Sequence, residues 1–190
     1  MKPYAKWHLP LSDDNVLVGD ALDDITAHGS DSIDNDIPLI IRLIENPKFG
    51  WLNDWFFPGA AKLKVHDTIH ILLGRGMLPK DEAFVIGYTM GSTKEMTEWR
   101  IKLFCWLNQK FYPKAYRFTD EEVEVFRTGV RYGWHCETNL SKIFVDDILD
   151  KPVSIVRKAL KVDADWLRYL YQMEADEFPN STESLRSAER

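Results

Sequence analysis

The chain has 190 residues, 45% of them hydrophobic and 13% aromatic, which is enough to close one core and argues against a disordered resting state. A formal charge of −6, with no cluster of lysine or arginine, excludes the basic face that nucleic-acid binding needs. Cys105 and Cys136 stand far apart in a chain large enough to do without staples, so a disulfide framework is not implied and a reducing compartment is the simpler expectation.

Residues 13–36 are acid-rich and predict a first helix through Leu17, Val18, Ala21, Leu22 and Ile25 that stops near Gly29. Asp20, Asp23 and Asp24 read as its solvated face. A second helix is expected from Asp36 as N-cap through Leu39, Ile40, Leu43 and Ile44, ending at Asn46-Pro47. An aromatic stretch from Phe49 to Phe57 follows; core packing is its expected use, a pocket wall or a membrane-surface contact the other. Beyond Pro58-Gly59 the spacing predicts a helix over 60–73, closed by Gly74-Arg75-Gly76, where glycine takes the left-handed C-cap conformation.

Pro79 opens the next helix, with Asp81 and Glu82 in its first turn where the macrodipole favours them, and this helix runs to about Gly91. Gly87 and Gly91 form a small-x-x-x-small pair suited to close helix packing. Met96, Trp99, Leu103, Trp106 and Leu107 keep helical spacing over 94–111, until Pro113 interrupts. Thr119 with Glu122 is a capping box in front of Val123, Val125, Phe126 and Val130. Three shorter helices are expected over 140–149, 152–160 and 163–174, and residues 179–190 read as a polar, disordered tail. With no repeat, sustained heptad or period-two pattern, the fold expected for residues 1–178 is all-α, a single-domain bundle of about seven to nine helices.

The chemistry concentrates in His66-Asp67-Thr68-Ile69-His70. On a helix the two histidines lie about 40° apart, and Asp67 falls within the same arc. Leu63 and Leu73 share that arc, which sets imidazoles and a carboxylate against the core, where they are costly unless compensated. A divalent cation supplies the compensation. His70 precedes the glycine turn by about as much as Glu82 follows Pro79, so an antiparallel hairpin brings Glu82 to the same height as a fourth ligand. Two imidazoles and two carboxylates suit Zn2+ and also Mn2+ or Fe2+. The competing use of these residues is as solvated helix polar groups with no ion. The acid after the first histidine is aspartate where a zincin peptidase has glutamate, and one acidic-x-x-His unit does not make a di-iron site.

His66, Asp67 and His70, then eleven residues, then Glu82, resembles the metal motif of the coenzyme Q (ubiquinone) biosynthesis family whose members are numbered four in that pathway. The match covers residues 60–90, with Asp81 where that family tends to have glycine. The resemblance implies an all-helical zinc protein handling an isoprenoid or quinone-like precursor. It implies either oxidative decarboxylation of the precursor's ring or organisation of a biosynthetic complex. A homo-oligomer would fit either role. No apolar run approaches the roughly 20 residues that span a bilayer, and residues 1–10 lack signal- or transit-peptide character. The expected location is the cytoplasm, free or peripheral to a membrane. Two other functions stay open. A His-Asp type phosphohydrolase would recruit His28 and Asp146 or Asp147 to the same ion, and a non-catalytic lipid- or partner-binding scaffold would use the zinc for stability. His135 and Cys136 are assigned no role.

Overall fold

The computed structural model describes residues 6–29, 63–111 and 117–189. The helix expected from Asp36 and the aromatic stretch ahead of Pro58 lie outside them. The described residues form eight α-helices: α1 (Val18–Gly29), α2 (Leu63–Leu73), α3 (Pro79–Ser92), α4 (Glu98–Phe111), α5 (Asp120–Gly133), α6 (Val153–Ala159), α7 (Ala164–Glu177) and α8 (Thr182–Ala188). Two short 3-10 turns lie between α5 and α6, and no strand occurs among the described residues. The all-α expectation holds. No described helix is long and apolar enough to cross a membrane.

Helix α2 is the hub, because its apolar residues face two ways. Ile69 and Leu73 enter a core shared with Phe84 and Val85 of α3, Phe104 of α4, Val125, Phe126 and Val130 of α5, and Leu167, Leu170 and Tyr171 of α7. Ile71 and Leu72 enter another, with Val18, Ala21, Leu22 and Ile25 of α1 and Val153 and Val156 of α6. Both cores exclude water from α2's last two turns, and the second histidine of the motif lies within them.

Helices α3 and α5 pack at backbone contact through four glycines. A Cβ added at Gly87 would lie 2.2 Å from the Phe126 carbonyl oxygen, and one at Gly91 2.2 Å from that of Val130. From the other side, a Cβ at Gly129 would come within 2.5 Å of the Phe84 oxygen and one at Gly133 within 2.3 Å of the Tyr88 oxygen. Both pairs stand in the sequence at small-x-x-x-small spacing, but that they face each other becomes evident only once the helices are paired.

The Thr119 capping box forms in both directions: the Thr119 N–H donates to Glu122 Oε2 at 2.7 Å and the Glu122 N–H to Thr119 Oγ1 at 3.3 Å. Three expectations are corrected. The helix predicted from 94 begins at Glu98, because the chain leaves α3 through Lys94 at φ 65°, and the Lys94 ammonium is drawn to the carbonyls of Trp134 and Cys136. Its buried residues are Ile101, Phe104, Cys105 and Asn108, while Trp99 and Trp106 are 48% and 51% exposed. The helix expected over 140–149 is instead the two 3-10 turns, Leu140–Lys142 and Val145–Asp147. The first is initiated by the Asn139 side chain accepting from the Ser141 N–H, a local bond that competes with helix propagation.

The third correction concerns the polar tail. Residues Thr182–Ala188 form a docked helix, α8, packed on α7 with Ser184 and Ser187 buried. Ser181 caps it, accepting from the Ser184 N–H at 3.3 Å. Its anchors are polar: Ser184 Oγ donates to Glu174 Oε1 at 2.9 Å, and Arg186 ion-pairs with the fully buried Asp81 of α3. A stretch that looks unfoldable by hydropathy is held by charges already buried elsewhere.

Candidate metal centre

The turn after α2 sets the geometry. Gly74 adopts φ 64°; its N–H donates to the Ile71 carbonyl and the Arg75 N–H to the His70 carbonyl at 3.0 Å, the two bonds of a Schellman motif. The chain then reverses into Pro79, and the first turn of α3 returns alongside the histidines. The carbonyls that α2's end leaves over find side chains from distant segments. Arg157 of α6 donates from Nε to the Leu72 oxygen at 2.8 Å and from Nη2 to that of Ile71 at 3.1 Å. Its Nη1 reaches the Leu11 oxygen at 2.9 Å. The Tyr171 hydroxyl donates to the Leu73 oxygen at 2.6 Å and His8 Nε2 to the Gly74 oxygen at 3.1 Å. The end of the histidine helix is therefore fixed in place.

His66, His70 and Glu82 converge. His66 Nε2 lies 3.0 Å from His70 Nε2 and 3.1 Å from Glu82 Oε2, and His70 Nε2 lies 3.5 Å from Glu82 Oε1. All three offer donor atoms within 4.8 Å of one another. His70 is fully buried and His66 is 7% exposed, whereas the Glu82 side chain is 23% exposed and marks the side open to solvent.

His70 Nδ1 is 2.7 Å from the Gly76 carbonyl oxygen and donates to it, which turns the Nε2 lone pair of the neutral ring toward the other two groups. Burial alone would depress the His70 imidazole, but the Glu82 carboxylate, with Asp67 and Asp81 behind it, raises its pKa. Burial would likewise raise Glu82, yet His70 and His66 hold it well below the usual carboxylate range. The Glu82 carboxylate and the His70 imidazole thus each favour the charged form of the other.

The donor set fits a divalent ion. Nitrogen and oxygen donors about 2.0–2.1 Å from a tetrahedral zinc stand about 3.3 Å from one another, and the three separations here are 3.0, 3.1 and 3.5 Å. The His70 to Gly76 bond is of the kind that metal-ligating histidines carry on their second nitrogen.

Asp67 stands apart from the trio. It is half-buried and coupled electrostatically to His66, His70 and Glu82, but its carboxylate is not among the atoms that gather within 4.8 Å. Burial pushes its carboxyl up, against the pull of His66 and His70. Residues further away do not join. His28 Nδ1 is bonded to the Asp24 carbonyl at 2.8 Å, Asp146 pairs with Lys64, and neither these nor Asp147 belongs to the group. The His-Asp phosphohydrolase arrangement thus finds no further ligand among the described residues. Cys136 is a buried free thiol whose Sγ lies 3.3 Å from the Thr138 oxygen, and His135 is exposed.

Behind the trio lies a buried ionic network with little local signature in the sequence. Arg75, fully buried, forks onto Glu174 with Nη1 to Oε1 at 3.0 Å and Nη2 to Oε2, and its guanidinium lies 4.4 Å from the Phe84 ring centroid and 4.0 Å from that of Tyr171. Its Nη1 is also 3.6 Å from Asp81 Oδ1. Asp81 Oδ2 accepts from the Leu78 N–H at 3.1 Å, closing the start of α3 one residue before Glu82. Burial raises the Asp81 pKa even against Arg75 and Arg186. The local signals are the arginine between two glycines and an acid beside Glu82; Arg157, Glu174 and Arg186 have none.

Comparison with family models, with curated proteins and with solved structures finds no match to this chain.

Proposed function

We propose that the protein binds one divalent cation, zinc before manganese or ferrous iron, through His66, His70 and Glu82. The site would act as a Lewis acid on an oxygen-bearing group of a small substrate. The observation that carries this reading is the convergence of two imidazole nitrogens and a carboxylate at 3.0–3.5 Å, with the second nitrogen of His70 already committed to Gly76. Two histidines and one glutamate are a donor set of catalytic zinc centres, which leave a fourth position for water or substrate, whereas structural zinc sites are closed by four protein ligands. With Asp67 outside the trio, no described residue takes that position, and the partial exposure of Glu82 puts solvent on its side. When bound, the ion would polarise a carboxylate or carbonyl oxygen.

The resemblance of the His66, Asp67, His70 and Glu82 pattern to the coenzyme Q biosynthesis family supplies the substrate class: an isoprenoid-bearing aromatic acid on the way to a quinone. Elemental mass spectrometry of the purified protein beside His70→Ala and Glu82→Gln tests the site. About one zinc, iron or manganese per chain, lost in both variants, supports the reading. Saturation of the loaded protein by an isoprenoid-substituted aromatic acid, and not by its decarboxylated analogue, supports the substrate class. Absence of stoichiometric metal after refolding with each ion overturns the reading.

A further inference from the structure

We infer that Arg186, on the C-terminal helix α8, is a positioning residue for the metal centre, reaching both sides of it through Gly76 and Asp81; the inference rests on the metal reading above. The two contacts are made by one guanidinium. A Cβ added at Gly76 would lie 2.0 Å from Arg186 Nη2 and 2.7 Å from its Cζ, so the guanidinium rests directly on the residue whose carbonyl oxygen holds His70 Nδ1. The same Nη2 pairs with Asp81 Oδ2, which in turn takes the Leu78 N–H and fixes the first turn of α3 at Glu82. Arg186 therefore ties together the orienting contact of one ligand and the backbone that carries another.

Gly76 is glycine for this reason. Its φ is not positive, so the residue type reflects space: the guanidinium and the Trp7 carbonyl oxygen, 2.7 Å from an added Cβ, occupy the room a side chain would need. Asp81 completes the case. A fully buried carboxylate one residue from a metal ligand is costly alone, and here it is matched by two arginines, Arg75 in the turn and Arg186 from α8. The short helix is itself clamped, with Arg75 Nη1 donating to Ser187 Oγ at 3.3 Å and Ser12 donating to Glu189 at 2.7 Å. Metal affinity and docking of α8 are thus two readings of one linked equilibrium.

The test compares wild type, Arg186→Gln, Arg186→Lys, Asp81→Asn, the double variant Asp81→Asn/Arg186→Gln and, as a control, Leu185→Ala, whose side chain is exposed. Each is titrated with Zn2+ against a chelating indicator and with Co2+ by its visible absorption, and each metal-free protein is melted. Arg186→Gln is expected to weaken Zn2+ binding about 10-fold and to alter the Co2+ band, as loss of an outer-shell contact does. Arg186→Lys should restore most of the affinity, and the double variant should lose no more than the worse single one, because both act through one contact. Leu185→Ala should bind as wild type.

A variant set in which only the melting temperature falls, with Zn2+ affinity and the Co2+ spectrum unchanged in Arg186→Gln, overturns the positioning role while leaving the metal site standing. A wild type that takes up no metal overturns both. Should Arg186→Gln fail to fold, hydrogen exchange of wild type decides. Zn2+ is expected to slow exchange over residues 182–188, and identical rates with and without Zn2+ overturn the coupling.

Discussion

Gly87→Ala isolates the close approach of α3 and α5, because two effects of opposite sign compete in it. An alanine in a helix interior is intrinsically better than glycine by about 0.8–1.0 kcal/mol. Were there room, the substitution would stabilise. The Cβ, however, would sit 2.2 Å from the Phe126 carbonyl oxygen, where an ordinary contact starts at 3.4 Å, and the obstacle is backbone that cannot rotate away. The helices would have to part by about 1 Å over several turns, an overpacking cost of about 1–3 kcal/mol or somewhat more. The net expectation is a loss of up to about 2 kcal/mol, a fall in melting temperature of up to about 8 °C for a chain of this size. Urea denaturation of Gly87→Ala and Gly129→Ala, read as a change in midpoint at constant slope, measures it. A rise in midpoint in both variants would refute the packing described, since propensity would then be acting alone.

Removing the guanidinium that caps α2, in Arg157→Met, should cost about 3 kcal/mol or more, because buried carbonyls of Leu11 and Leu72 lose their donor; a loss below about 1 kcal/mol by urea melting would show that they find water instead. His8 should give the protein an acid sensitivity. Burial first, and then Arg186, push its imidazole down to about 4 from an ordinary 6.5, so the folded chain declines a proton that the unfolded chain accepts. Stability is therefore unaffected by this group above pH 6.5 and falls as pH drops from 6.5 toward 4, by at most about 1.4 kcal/mol per pH unit. His8→Gln keeps an N–H for the Gly74 carbonyl and removes the titration. The wild-type minus variant difference should thus be level above pH 6.5 and decline below it, and a level difference down to pH 4 would count against the assignment.

How far the sequence announced this structure depends on the range of the interaction that fixes each part. Elements set by neighbours a few residues apart were legible: the capping box at Thr119, the glycine stop at Gly74, Pro79 at the start of α3, and hence the hairpin that brings His66, His70 and Glu82 together. Helix angle and the motif resemblance both group Asp67 with them, yet its carboxylate is not among the atoms that gather. An arc on a helical wheel says which way a Cβ leaves the axis but not whether a short carboxylate reaches the same point as two long imidazoles.

Trp99 and Trp106 show the same limit for cores, since their regular spacing marks the outer face of α4 and the inner one carries Ile101, Phe104, Cys105 and Asn108. In the tail, hydropathy cannot register a helix held by ion pairs. Arg186 finds Asp81 across 105 positions and Arg75 finds Glu174 across 99, and nothing local encodes either meeting.

The way α2 is terminated bears on when the centre can form during synthesis. All three donor residues have left the ribosome soon after residue 82, yet the groups that fasten the turn between them are Arg157, Tyr171, Glu174 and Arg186. At about 5–20 residues per second the chain grows for roughly 5–20 s more before the last of these emerges. During that interval the histidines and the glutamate belong to a nascent hairpin with unfastened ends. The mutual placement of His66, His70 and Glu82 is then completed only after residue 186 has emerged, well after the three residues themselves.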